Sequence, residues 1–181
     1  MTFRETRVDG VLVVVPEIHE DERGFFARTW DRDAFGERGL NDRVVEASLS
    51  FNRRRGTLRG LHYQVAPHGE AKLVRCTAGA IFDVALDLRP ASPTFAAWAG
   101  VELSAENRLA LYVPEGCAHG FLTLADDAEV GYQISAPYTP EAARGVRFDD
   151  PAFGIEWPEE IIVVNARDRT YPDFELEAER S

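Results

Sequence analysis

From about residue 57 onward, the chain runs as short segments of period-two alternation, each closed by turn-forming residues. In "AIFDVALDLR" (80–89), Phe82, Val84, Leu86 and Leu88 alternate with Asp83, Asp87 and Arg89. The segments "KLVRCTAG" (72–79), "AWAGVELS" (97–104), "LALYVPEG" (109–116), "GFLTLAD" (120–126) and "EVGYQIS" (129–135) behave the same way. Successive side chains of a strand point to opposite faces, so this pattern specifies strands with two distinct sides. The separators "RPASPT", "SAEN", "ADDAE" and "APYTPE" supply the Pro, Gly, Asn, Asp and Ser that tight turns require. Many closely spaced strands without intervening helices predict an all-β sandwich or barrel. Helices are minor: "DRDAFGERG" (31–39) opens on an Asp N-cap and closes on glycine, and "SAENRLA" has room for a single turn. The acidic tail "PDFELEAERS" is expected to be loosely held at its end.

A length of 181 residues suits one domain with a substantial core, and no internal repeat or linker divides it. No uncharged run approaches the roughly 20 residues that span a bilayer, and the N-terminus lacks a signal-peptide pattern. Cys76 and Cys117 have no metal-type spacing and read as buried free thiols of a reducing cytoplasm. The net charge of −11, without a basic stripe, argues against a nucleic-acid partner. One local exception is "NRRRGTLRG", with four arginines in nine residues, which would attract a small anion.

Four histidines are present: His19, His62, His68 and His119. In "TLRGLHYQ" (57–64), regular alternation puts Leu58, Gly60, His62 and Gln64 on one face, opposite Arg59, Leu61 and Tyr63. A bulge at Gly60 would instead let Arg59 and His62 reach one cavity, and glycine is the residue that permits it. Both readings stand from the segment alone: a re-aimed pair, or an exposed arginine beside a core histidine. His119 lies in "VPEGCAHGF", whose Pro-x-Gly-x-x-His spacing matches the second conserved box of the cupin barrels. The His-x-His pair of metal-binding cupins is missing, because Tyr63 and Gln64 follow His62, and His68 and Glu70 sit in the turn "APHGEAK". A metal site needs three or four convergent ligands, so none is expected. Without a metal, two histidines in one barrel suit proton transfer, since imidazole titrates near neutrality. Tyr132 shares a strand face with Val130 and Ile134, which aims its hydroxyl inward as a hydrogen-bonding group or a general acid. Lys72 opens a strand and reads either as an exposed strand-end lysine or as a cation opposite developing negative charge.

Taken in order, "DERGFF", "GTLRGLHYQ", "AKLVRCTAGAIFDVALDLRPASPT", "VELSAEN", "YVPEGCAHGFLTL", "YTPEAARGVRFDDPAFGIEWP" and "ARDRTYPDF" resemble the dTDP-4-dehydrorhamnose 3,5-epimerase family, over residues 8 to 174. The resemblance implies a cupin-type double-stranded β-helix (jelly-roll) barrel and a metal-independent, cofactor-free epimerase. Its substrate would be a nucleoside-diphosphate 4-keto-6-deoxy sugar, inverted at C3, C5 or both. It further implies His62 as the base, Asp168 as its partner and Tyr132 as the acid on the opposite face of the sugar. Lys72, Arg59 and His119 match positions around the sugar ring and keto oxygen, and Gln64 falls in the same block as His62. Arg23 matches a diphosphate contact, Phe26 and Tyr138 match ring-packing positions, and the family implies a homodimer that shares its pockets.

Departures fall at nucleotide-contact positions. Arg28 stands where a glutamate is usual, Ala47 and Leu49 replace a "Q-x-N" pair, and Ala143 replaces another glutamate. Other readings of the barrel are a sugar ketoisomerase, a metal-dependent dioxygenase and a non-catalytic sugar-binding module.

Overall fold

The computed structural model describes residues 1–176. Thirteen strands and two short helices follow in the order β1 (Thr2–Glu5), β2 (Leu12–Val15), β3 (Ile18–Asp21), β4 (Gly24–Ala27), α1 (Arg32–Gly36), β5 (Glu46–Asn52), β6 (Leu58–Gln64), β7 (Lys72–Ala78), β8 (Ala80–Asp87), β9 (Trp98–Ser104), β10 (Ala110–Val113), β11 (Cys117–Thr123), β12 (Ala128–Ile134), β13 (Ala143–Gly145) and α2 (Ala166–Arg169). One sheet has six strands in the order β1-β2-β10-β7-β12-β5, the other has five in the order β13-β6-β11-β8-β9, and β3-β4 form a separate hairpin. This antiparallel, nearly all-β arrangement bears out the sandwich or barrel that the alternation predicts and the jelly roll that the resemblance implies.

The five-stranded sheet is covered on both faces and the six-stranded sheet on its inner face and part of its outer one. Between them lies a core of Val74, Leu111, Val113 and Val130 from the six-stranded sheet against Ile81, Ala85, Leu103 and Phe121 from the five-stranded one. The outer face of the five-stranded sheet carries Leu58, Leu61, Val84, Leu86 and Leu122, packed under Val146, Phe148 and Phe153 of the C-terminal segment. The outer face of the six-stranded sheet is covered by α1 over Val14, Leu73, Ala110 and Tyr112. Asp31 caps that helix by accepting from Asp33 N and Ala34 N, and Phe35 packs edge-on to Phe3 and Tyr112 at 5.2 and 5.7 Å. The Asp N-cap falls where it was expected, but the helix stops at Gly36 rather than Gly39. The "SAEN" piece is a turn, and α2 was not anticipated.

Double coverage alters what the alternation means. In β8 the polar positions Asp83 and Asp87 are fully buried, not solvent-facing. β11 is buried at every residue and begins at Cys117, three residues before the strand segment read at 120–126. Cys76 and Cys117 are buried free thiols, and no described helix is long and apolar enough to cross a membrane. In the C-terminal tail, Phe174 N donates to Asp150 Oδ2 at 2.8 Å, while the end read as loose lies outside the described residues.

The pairing of β6 with β11 contains the bulge. His62 pairs with His119 and Arg59 with Phe121, so Gly60 and Leu61 together oppose the single residue Gly120. Gly60 has φ +115°, and a Cβ there would lie 2.6 Å from Gly120 Cα and from His119 O. Both contacts are backbone and cannot swing aside. Gly60→Ala should therefore lower the unfolding free energy by about 2–4 kcal/mol in urea denaturation. Gly36→Ala, with 3.7 Å of clearance in α1, should be neutral or slightly stabilising. Equal midpoints for the two variants would refute the steric argument.

Candidate active site

The two sheets part at one end around a cavity of about 420 Å³. Its walls come from different sheets. β5, β7 and β12 contribute Glu46, Ser48, Ser50, Lys72 and Tyr132, while β6, β11 and β13 contribute Arg59, His62, Gln64, His119 and Arg144. Asn165, Arg167, Asp168, Glu70 and Tyr138 complete the lining.

The bulge does what the sequence left open, because Arg59 and His62 both reach this cavity. It also takes the Gly60 amide out of the β6–β11 ladder and turns it to Asp168 Oδ2 at 3.0 Å. The other oxygen of that carboxylate, Oδ1, lies 2.7 Å from His62 Nε2. Asp168 is fully buried, whereas the His62 side chain is 41% exposed and faces the cavity. Burial raises the carboxyl's pKa, but the His62 ring and the Gly60 amide more than offset this and hold it below the usual range. The carboxylate arrives from 106 positions downstream on α2, whose N-cap Asn165 accepts from Asp168 N at 2.7 Å. Strand-like pairing anchors that segment: Leu58 N donates to Val163 O at 2.8 Å, and Thr57 bridges Val163. Behind the His62 ring, Tyr171 stands edge-on at 6.4 Å, in space that Gly145 leaves by having no side chain.

His119 forms a second dyad. Its Nε2 lies 2.8 Å from Oδ1 of the fully buried Asp83, and its ring is edge-on to Tyr132 at 6.0 Å. Tyr132 stands on β12 opposite Val74 and Ser48, on the wall across from His62. Burial, reinforced by the Asp83 charge, pushes its phenol far above the ordinary value. Lys72 opens β7, as expected, but is only 8% exposed, so the reading as an exposed strand-end residue is wrong. Arg59 is held by Asn52 Oδ1, which accepts from its Nε at 2.7 Å.

Other expected residues fall differently. Gln64 lines the cavity, yet its amide donates to His68 O and Pro137 O and accepts from Thr139 N, bracing the loop that carries Tyr138. Tyr138 is 59% exposed at the cavity mouth. Arg23 and Phe26 are not brought to the cavity of their own chain. They sit on the β3–β4 hairpin, where Arg23 pairs with Asp21 and Phe26 is exposed. Reasoning from sequence missed Asn165, Arg167 and Glu70 in the lining and Asp83 behind His119, since nothing local distinguishes such a polar residue from a solvated one. Among the described residues, no group of three or more His, Cys, Asp or Glu side chains is placed to hold a metal ion.

Residues 5–175 match the family model described as dTDP-4-dehydrorhamnose 3,5-epimerase. The enzyme of that name from Methanothermobacter thermautotrophicus is 45% identical over 173 residues, covering 93% of this chain and 92% of its own. The chain belongs to the dTDP-4-dehydrorhamnose 3,5-epimerase family. The crystal structure of the epimerase from Elizabethkingia anophelis NUHP1 superposes with a TM-score of 0.93 at 38% identity, over 96% of both chains. That of the Legionella pneumophila dTDP-6-deoxy-D-glucose-3,5-epimerase, in complex with dTDP-4-keto-L-rhamnose, gives 0.86 at 38% identity, over 92% and 89%. Membership makes this chain an isomerase, an epimerase on a cupin-like barrel.

A phenol raised so far keeps its proton through neutral and mildly alkaline pH. In an ultraviolet tyrosinate titration, Tyr132→Phe should remove an ionisation lying above the ordinary phenol range, near 10. Loss of an ionisation at or below that range would show that Tyr132 is not desolvated.

Proposed function

We propose that the protein epimerises a dTDP-linked 4-keto-6-deoxyhexose at one or both carbons flanking the ketone. The observation that carries this reading is an imidazole–carboxylate dyad on one wall of a cavity with a protonated phenol on the other. A C–H beside a ketone is acidic because the electron pair left behind delocalises onto oxygen as an enolate. His62 takes that proton, and Asp168 orients the ring and balances the imidazolium that forms. Lys72 and His119 face the oxygen as charge builds on it, and Arg59 holds the sugar. Tyr132 returns a proton to the same carbon from the opposite side, so the configuration inverts. Solvent then reprotonates the phenolate and removes the proton from His62. The substrate's own ketone is the electron sink, so the step calls on no cofactor.

The nucleotide half lies toward the mouth. There Arg167 meets the diphosphate and Tyr138 packs against a ring. Arg23 and Phe26 serve the same end from a second copy. The protein is a homodimer whose β3–β4 hairpin reaches the neighbouring pocket, a reading supported by exposed Phe25 and Phe26 on the hairpin and by exposed Leu49 and Phe51 on the outer face of edge strand β5. Each chain acts as one domain, in the cytoplasm, where its two thiols stay reduced. Its charge of −11 disfavours nucleic acid as a partner.

Incubation with a dTDP-4-keto-6-deoxy sugar in D₂O, followed by NMR, should show deuterium entering at C3, C5 or both. His62→Asn and Asp168→Asn should each slow exchange by about 10²–10⁴-fold, while Tyr132→Phe should keep some exchange and lose inversion. Exchange at the wild-type rate in the His62 variant would mean that the base is another group.

A further inference from the structure

Of the chain's 20 basic residues other than histidine, only one is a lysine. It is Lys72, and it is buried in the cavity wall. Arginine presents a rigid planar fork suited to carboxylates and phosphates, whereas lysine ends in a compact ammonium with three donors. The chain uses arginine everywhere except at this one buried position, where a point charge on a flexible stem is harder to hold in place.

Two contacts hold it. Lys72 Nζ lies 2.9 Å from Glu70 Oε1 and donates to His62 O at 3.2 Å. The Glu70 and Lys72 side chains are only 10% and 9% exposed. Their common direction follows from the backbone. Ser135 N donates to Ala71 O at 3.0 Å and Ala71 N donates to Ser135 Oγ at 2.8 Å, which extends the β7–β12 pairing back past Lys72. Residues two apart in extended chain project to the same side, so Glu70 and Lys72 both face the cavity.

We propose that Glu70 is a positioning residue that holds the Lys72 ammonium ready for the substrate's keto oxygen. This deepens the epimerase reading above and rests on it. Of the three donors on Nζ, one goes to Glu70 and one to the backbone carbonyl of His62, among the described residues. The third is left for the oxygen on which the enolate charge collects. Ordering a lysine side chain costs rotamer entropy, and here that ordering is done before substrate arrives. The bond to His62 O also ties the cation to the backbone of the base, so the separation of proton acceptor and oxygen partner is set by the fold. The carboxylate offsets the desolvation of a buried ammonium. Because its charge also weakens the cation's field in the cavity, Glu70 works by placement rather than by charge.

The test uses the fact that a single lysine is present. Protein labelled with ¹⁵N-lysine reports one side-chain ammonium, without substrate. In the wild type, Lys72 should give a slowly exchanging Nζ–H signal. Glu70→Ala should abolish it, and so should Glu70→Asp, which keeps the charge but withdraws it by one methylene. Glu70→Gln should retain it, because the amide oxygen still accepts. In the exchange assay, Glu70→Ala should lower kcat by about 10–100-fold with KM changed less than about threefold, the pattern of a lost transition-state interaction. Glu70→Gln should restore most of that rate. On a Lys72→Met background, Glu70→Ala should add less than about threefold, because coupled residues are non-additive. An ammonium signal indifferent to Glu70→Ala, or an equal loss with and without Lys72, would overturn the proposal. Should Glu70→Ala fail to fold, the contrast between the Asp and Gln variants decides the question, and matching behaviour in the two would refute it. A wild type that exchanges nothing would sink the epimerase reading, and with it the keto-oxygen role, while the ammonium spectrum would show separately whether Glu70 holds Lys72.

Discussion

A carboxylate with no exposed surface must find partners inside the protein, because burying one unpaired costs many kilocalories. Asp168 finds two: the His62 ring at 2.7 Å and the Gly60 amide at 3.0 Å. Neither would be available on a regular strand. The amide would be engaged in the ladder with β11, and the ring would be directed by unbroken alternation. The extra residue at Gly60 and Leu61 frees the amide and sets the ring into the cavity. One backbone irregularity therefore serves folding and chemistry together, and it requires a glycine because the backbone of Gly120 lies against it.

The same interaction organises the C-terminal segment. Residues 146–176 cover the outer face of the five-stranded sheet with Val146, Phe148 and Phe153, then pair with β6 at Val163 and turn through α2. The Asn165 cap aims Asp168 inward. Packing on the outside of the sheet thus positions a charge that meets His62 at the cavity. The opposite wall is built more simply: Tyr132 and Lys72 project from β12 and β7, neighbours in one sheet, and register alone faces them toward His62 and His119.

In the cavity, polar groups hold one another. His62 leans on Asp168, His119 on Asp83, Lys72 on Glu70 and Arg59 on Asn52. Each of these four side chains thus carries a partner that fixes its direction, which is the arrangement electrostatic preorganisation requires. Tyr132 differs, because it is desolvated and beside the Asp83 charge, and both effects keep its proton in place.

Period-two alternation and turn chemistry were enough to read an all-β barrel, most of its strands and the cap of α1, because these depend on neighbours in the chain. The cupin-type spacing and the ordered blocks singled out His62, Lys72, His119, Tyr132 and Asp168, and all five line one cavity. What the chain could not disclose locally is which polar positions are buried. Asp83 and Asp87 read like residues of a solvated strand, and only coverage of both faces of their sheet put them inside. Pairings such as Asp168 with His62, and the turning of Gly60 toward that carboxylate, arise between segments far apart in sequence. Local pattern records the period and the caps; long-range pairing decides which donor meets which acceptor, because a buried charge can be satisfied only by whatever the fold brings beside it.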